Sequence, residues 1–385
     1  MKTIIFLLMC IAVAIRIVFT LRSKPSPRLS SIDAVIPAYN EGPCIAATLM
    51  NLLNNPYINQ VICVNDGSTD NTLQILDALQ REWPKKLVVV HQSNTGKGGA
   101  LMNGVYRATA EQVFLTDADT RVPADSDGLG YMLAEIERGI DAVGGIPSSD
   151  LHSAGLLPHI RATVKMPMII MKRTLQQVLG GAPFIISGSC GLFRTQVLID
   201  NPFSDRTKVE DLDLTWSLVS QGYRVSQCNR CVVYPQECNT LHEEWKRWRR
   251  WIAGYAVCMR LHWRLLFSRF GVFSMLPMFW VVVLGVITYS ISWGHVVTKG
   301  DFGSIVLAVF PIIWVVVVCG IASFSAVFNR VPALIVLAPF SVFYVLLAYA
   351  IWIVYGLPSF FTGREPVRDK PTRYAMVDKT RTTTF

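Results

Sequence analysis

A doubly wound, mostly parallel α/β sheet carried between apolar helices is the fold class this 385-residue sequence predicts, and three observations carry it. From residue 30 to about residue 119, short β-branched runs alternate with helical stretches, over connections too long for hairpins. Apolar runs long enough to cross a bilayer stand at both ends of the chain. Polar motifs recur where each short run stops, and in open α/β sheets ligands bind at the carboxyl ends of the strands.

The predicted strands are 32–36, 61–64, 87–90 and 113–115, with helices near 44–53, 73–81 and 99–108 between them. After the first strand comes Pro37-Ala38-Tyr39-Asn40-Glu41, and after the second Asn65-Asp66-Gly67-Ser68-Thr69-Asp70. The third is followed by Asn94-Thr95-Gly96-Lys97-Gly98-Gly99 and the fourth by Thr116-Asp117-Ala118-Asp119. Together they suit a nucleotide diphosphate. A carboxylate such as Asp66 can accept a hydrogen bond from a pyrimidine N–H. Asp117 and Asp119 can hold a hard cation, Mg²⁺ or Mn²⁺, while the diphosphate supplies further oxygens. Such a cation neutralises the charge that builds on a leaving diphosphate. Singly, each motif is ordinary turn chemistry, and Gly-Lys-Gly-Gly lacks the spacing of a full phosphate-binding loop. Four of them at successive strand ends are not.

The composition is 51% hydrophobic and 16% charged, with a net charge of +9, and the apolar excess is concentrated at the termini. The run 3–21, interrupted by Arg16, reads as an uncleaved anchor, because Arg22, Lys24, Pro25, Pro27 and Arg28 follow it without a small-x-small cleavage site. Three further runs, 270–293, 304–327 and 331–357, are each long enough to span. Basic residues gather after the first run and before the second (Arg247, Arg249, Arg250, Arg260, Arg264, Arg269), which places the middle domain in the cytosol of a multi-pass plasma-membrane protein. Three crossings would leave the C-terminal tail outside, yet Arg364, Arg368, Lys370, Arg373, Lys379 and Arg381 make it basic too; the final run, with Pro339 inside it, is where irregular geometry is expected. Because the basic residues flank membrane segments, acidic lipid headgroups explain them better than nucleic acid, and no nucleic-acid partner is expected. Nine scattered cysteines fit a reducing compartment. Cys228, Cys231, Cys238 and His242 have spacing compatible with zinc, but Cys231-Val-Val-Tyr reads as a strand with a small buried residue and no second Cys-x-x-Cys completes the pattern.

The order of these motifs resembles the family 2 glycosyltransferases of A-type fold, over about residues 32–254. Ser187-Gly-Ser-Cys-Gly-Leu-Phe-Arg194, Val209-Glu210-Asp211-Leu-Asp213 and Arg247-Trp-Arg-Arg250-Trp251 complete the pattern. The resemblance implies that Asp66 contacts uracil, Asp119 the metal and Asp117 the diphosphate, with Pro37, Tyr39, Glu41 and Lys97 lining the donor site. It implies a general base in Glu210-Asp211, with Asp211 deprotonating the acceptor hydroxyl and Ser187 and Gly188 at the acceptor side. Inversion follows from single in-line displacement. The Arg-x-x-Arg-Trp element resembles that of processive polysaccharide synthases, with Arg247 where glutamine is common. Arg247 and Arg250, one turn apart, could face the diphosphate, and Trp251 could stack on an acceptor sugar. Trp245, Trp248, Trp251 and Tyr255 also make an aromatic stripe suited to the membrane surface, and 160–179 is a second stretch for which membrane contact is expected, with a core helix as the alternative reading.

The expected organisation is a transmembrane helix at 1–22, a cytosolic glycosyltransferase domain at 30–240, an interfacial helix at 241–268, transmembrane helices at 269–358 and a basic tail at 359–385. The leading expectation is inverting, processive transfer from a UDP-sugar, with N-acetylglucosamine as the sugar, to a β-linked polysaccharide exported at the membrane. With so few spans, a complete pore would call for a second copy or an export partner. The alternatives are single-sugar transfer to a membrane lipid, separated by product size, and an inactive assembly partner, which the intact acidic motifs argue against.

Overall fold

The computed structural model describes residues 23–151, 154–277, 287, 290–291, 293–300, 305, 309–366 and 372–376. The expected N-terminal helix and half of the first C-terminal run lie outside these residues.

Four strands, β1 (Ile32–Ala38), β2 (Ile58–Asp66), β3 (Leu87–Gln92) and β4 (Gln112–Leu115), form the parallel half of an eight-stranded sheet. Helices α1 (Ile45–Leu53), α2 (Thr72–Glu82) and α3 (Gly96–Val105) return the chain between them. Ile32, Ala34, Val35, Ile36, Val61, Ile62, Cys63 and Val64 are all fully buried, as a central strand covered by helices on both faces requires. The remaining strands are β5 (Thr120–Arg121), β6 (Ala142–Pro147), β7 (Gly191–Arg194) and β8 (Val225–Pro235), giving the order β3-β2-β1-β4-β7-β6-β8-β5.

The sheet is mixed where the sequence predicts mostly parallel pairing. β7 runs antiparallel to both β4 and β6, and β5 antiparallel to β8. The physical reason is length. β7 has four residues and β5 two, too few to carry a periodic signal, and β7 lies inside the Ser187–Arg194 motif. Register matters for the site: Ala38 pairs with Asn65 and Val35 with Leu115, so the segments after β1, β2 and β4 emerge side by side.

Helices α4 (Gly128–Glu137), α5 (Leu156–Gly180), α6 (Thr195–Asp200), α7 (Glu210–Ser220) and α8 (Leu241–Leu261) complete the domain. The Thr240 hydroxyl caps α8 by accepting from the Glu243 N–H, and Glu243 and Glu244 suit its positive first turn. The second half of α8 is core: Ile252, Ala253, Tyr255, Ala256, Val257 and Cys258 are buried. Tyr255 packs between Phe184, Trp216 and Trp352 at centroid distances of 5.5, 5.9 and 5.5 Å. Aromatic contacts of this kind add about 1 kcal/mol each beyond burial, so α8 joins the sheet domain and the C-terminal helices in one core.

Further along lie helices α9 (Phe310–Asn329) and α10 (Ala333–Thr362). Among the described residues α10 is the one helix long and apolar enough to cross a membrane, and Val315–Val327 is a shorter apolar stretch. Around Pro339 the helix tightens into a 3₁₀ turn at Ala338–Ser341, because proline removes a backbone donor there. Helix α5 is apolar outward and charged inward. Arg161 and Arg173 are buried while Leu156, Met168, Met171 and Leu175 are exposed.

Cys228 and Cys231 lie in β8, buried in the core, and the sulfurs of Cys231 and Cys190 are 3.8 Å apart.

Candidate active site

The site is built where β1, β2 and β4 end. Asn40, in the left-handed region at φ 53°, accepts from the backbone N–H of Thr69 (2.7 Å) and donates its own N–H to the Ser68 hydroxyl (2.9 Å). Asparagine tolerates that conformation better than most residues, so the turn after β1 is stapled to the turn after β2. The exposed ring of Tyr39 and the half-buried Pro37 border the same edge. Asp66, buried at the end of β2, accepts from the N–H groups of Thr95 (2.7 Å) and Gly96 (3.0 Å) and from the Gln92 amide (2.8 Å). It therefore fixes the loop that opens α3.

From the first turn of α3, Lys97 reaches back into the site. Its ammonium lies 2.5 Å from Asp117 Oδ1 and 3.5 Å from Glu210 Oε1. This one cation joins the acidic pair after β4 to the acidic start of α7. Asp119 is buried beside Glu41, and burial pushes its carboxyl up to about 6 against the opposing charge of Arg373.

Across the cleft α7 begins with Glu210, Asp211 and Asp213 in its first turn, where the helix end favours negative charge. Asp211 Oδ2 accepts from the Gly188 N–H at 2.9 Å. A β-carbon on Gly188 would stand 3.0 Å from the Lys97 nitrogen, so a side chain at 188 would crowd the lysine and shift its ammonium. Burial, reinforced by Glu210, holds Asp211 above the usual carboxylate range, although Lys97, the Gly188 N–H and Arg250 pull the other way. Ser187 closes the edge, its hydroxyl 3.1 Å from that of Ser189. The next acid, Asp213, faces away, forked by Arg206 (2.9 and 2.9 Å) and bonded to His262 (2.7 Å).

The two arginines of Arg-x-x-Arg-Trp part company. Arg250 is close enough to Asp211 to lower its proton affinity. Arg247 turns under α8 into a buried ionic network, bonded to Glu237 at 2.8 Å and to Glu244. Arg161 and Lys165 of α5 complete that network at 2.9 and 2.5 Å from Glu237. Burial opposes ionisation there, but Arg161 and Lys165 outweigh it and keep Glu237 below the usual range; Glu244 is instead pushed by burial up to about 7. Trp251 is 37% exposed, with the guanidinium groups of Arg161 and Arg247 at 5.2 and 5.4 Å from its ring.

One residue at the site was not legible as such in the sequence. Arg373, from the segment 372–376, forks onto Glu41 (2.7 and 3.0 Å) and pairs with Asp119. Its basic neighbours read as a membrane-surface tail. Glu237 also carried no signal, because its partners come from α5 and α8, far off in sequence.

A sheet with acidic groups at its carboxyl edge and a carboxylate across the cleft is compatible with a glycosyltransferase, and the relatives of this chain show that class. The chain belongs to glycosyltransferase family 2: the glycosyl transferase family 2 pattern matches residues 33–201. It is 68% identical over 376 residues, 97% of this chain and 94% of the other, to an uncharacterized glycosyltransferase, YaiP, of Escherichia coli (strain K12). It is 30% identical over 250 residues to the poly-beta-1,6-N-acetyl-D-glucosamine synthase of Staphylococcus aureus (strain COL), a match spanning 63% of this chain and 60% of the synthase. Its fold is that of the mannosyltransferase PcManGT of Pyrobaculum calidifontis, solved in complex with GDP-Man and Mn²⁺, at TM-score 0.60, 18% identity, and coverage of 93% and 96%.

Proposed function

We propose that the chain transfers a sugar, with inversion, from a UDP-sugar to a growing β-linked polysaccharide at the membrane, and that the sugar is N-acetylglucosamine. The observation that carries the reading is the bridge made by Lys97 between Asp117 and Glu210, which brings the donor side and the base side within one ammonium's reach. Donor residues are Pro37, Tyr39, Glu41, Asp66, Lys97 and Asp117, with Arg250 nearest the reacting end. Asp211 is the base, oriented by the Gly188 N–H and flanked by Glu210. Trp251 and the 187–188 loop take the acceptor.

A divalent cation, Mg²⁺ or Mn²⁺, would be held by Asp119 beside Asp117. Among the described residues no group of three or more His, Cys, Asp or Glu stands ready to hold a metal. The fit comes instead from a buried carboxylate already paired with a guanidinium, with the remaining ligands to come from the diphosphate. When bound, the cation would offset charge on the departing diphosphate. Arg247 supports the site from below, through Glu237, rather than through the diphosphate.

The likeness to the poly-N-acetylglucosamine synthase favours the polymer over a single-sugar lipid product. Membrane attachment is supported by α10 and by the outward-facing Leu156, Met168, Met171 and Leu175 of α5. Residues 372–376 rest on the catalytic domain, which favours an even number of crossings between α8 and the tail over the three expected. The test is UDP release by the protein in lipid across a panel of UDP-sugars with Mg²⁺ or Mn²⁺. Selective turnover of UDP-N-acetylglucosamine supports the reading; selective turnover of another UDP-sugar, or of none, would remove it.

A further inference from the structure

The segment 372–376 lies across the donor edge as a strap. Gln236, just past β8, donates its amide to the Tyr374 carbonyl (2.7 Å) and accepts from the Tyr374 N–H (3.1 Å). Glu243, in the first turn of α8, accepts from the Thr372 N–H (3.2 Å) and from the Tyr374 hydroxyl (3.3 Å). The Met376 sulfur reaches the Thr48 hydroxyl of α1 at 3.9 Å. Between these anchors Arg373 points inward, its side chain only 17% exposed.

Charge explains what holds it there. Lys97 pairs with Asp117 and Glu210, while Asp119 and Glu41 are two buried carboxylates with Arg373 between them. Burying acids is costly, and the guanidinium, forked onto Glu41 and in contact with Asp119, offsets that cost. Arg373 Nη1 contacts Asp119 Oδ2, an oxygen that a divalent cation would need. Arginine has no lone pair to share with a metal and repels one, so strap and cation exclude each other at this carboxylate.

We propose that Arg373 is an internal occupant of the divalent-cation position, and that the strap 372–376 must lift before a metal-bound nucleotide diphosphate can seat. The proposal rests on Asp119 being the metal ligand. It adds that the resting enzyme is closed by its own chain and that cation and donor together compete with Arg373. The strap binds Asp119 and Glu41 only through a monovalent group, so a divalent ion carrying a diphosphate can displace it.

The test is Mn²⁺ affinity of the full chain in lipid, with UDP present, read from loss of the free Mn²⁺ electron paramagnetic resonance signal. If the strap is seated about nine-tenths of the time, the apparent affinity is lowered about tenfold, and Arg373→Gln regains it. Gln236→Ala removes both bonds to Tyr374 without changing any charge, so it should tighten Mn²⁺ binding as well, by a smaller factor. Unchanged or weaker Mn²⁺ binding in Arg373→Gln would overturn the strap; weaker binding would make Arg373 a ligand of the donor instead. Tightening in Arg373→Gln alone would also overturn it, because charge removal by itself would then suffice. Asp119→Asn separates the two levels. If that variant binds Mn²⁺ as tightly as the wild type, the metal assignment itself fails, whatever the strap variants do.

Discussion

Replacing Asp211 by asparagine tests the base assignment with little change of shape. In the structure Oδ2 accepts from the Gly188 N–H at 2.9 Å, and an asparagine carbonyl can accept the same bond. The 187–188 loop should therefore hold its place. What is lost is the ability to take a proton. General-base contributions run from about 10² to 10⁴, so kcat should fall about 10³-fold, or about 4 kcal/mol in the barrier. Removing a negative charge beside Lys97 and Arg250 does not disfavour a diphosphate, so UDP affinity should hold or rise. Stopped assays of UDP release give kcat, and titration calorimetry with UDP gives the affinity. Since burial raises Asp211 above the usual carboxylate range, wild-type turnover should decline on acidification at a pH above that range. Turnover of the asparagine variant within tenfold of wild type would refute the assignment, and lost UDP binding would show that Asp211 is structural.

Two further predictions follow from packing and from the ionic network. Gly254 of α8 faces Val209, and an added β-carbon would stand 2.6 and 2.8 Å from its methyl carbons, so Gly254→Ala should cost about 1–3 kcal/mol and displace the start of α7; a lower Tm and lower kcat, both relieved by Val209→Ala, are expected, and an unchanged Tm would contradict the packing. Burial holds Glu244 at about 7 against an ordinary value of 4.5, so the folded state binds its proton more tightly than the unfolded state. Its contribution is then most favourable below pH 4.5 and is lost as pH rises to about 7, a swing of about 3 kcal/mol, and Glu244→Gln should flatten thermal stability over that window; an unaltered profile would refute it.

How much of this was legible in the sequence depends on distance along the chain. Strands β1 to β4 announce themselves through β-branched runs and a polar motif after each, and the structure gathers those motifs at one edge. The antiparallel β7 was hidden because four residues inside a polar motif have no period to read. In α8 the alternation of tryptophan and arginine reads as a surface helix, whereas half of the helix is core. Its Tyr255 packs on Trp216 and Trp352, from elements that sequence spacing cannot relate to it. The same limit explains Arg247. One turn from Arg250 in sequence, it is drawn under the helix by Glu237, which arrives from β8's end. Arg373 was the least legible, since one arginine among several in a basic tail carries no mark of the carboxylates it meets.

The central claim, that UDP-N-acetylglucosamine is polymerised, is tested most directly by product mass. The protein in lipid, given UDP-N-acetylglucosamine with Mg²⁺ or Mn²⁺, is predicted to yield a ladder of high-mass product spaced by one N-acetylhexosamine, with UDP released in equal number. A single added sugar on a lipid, or UDP release from some other donor alone, would contradict it.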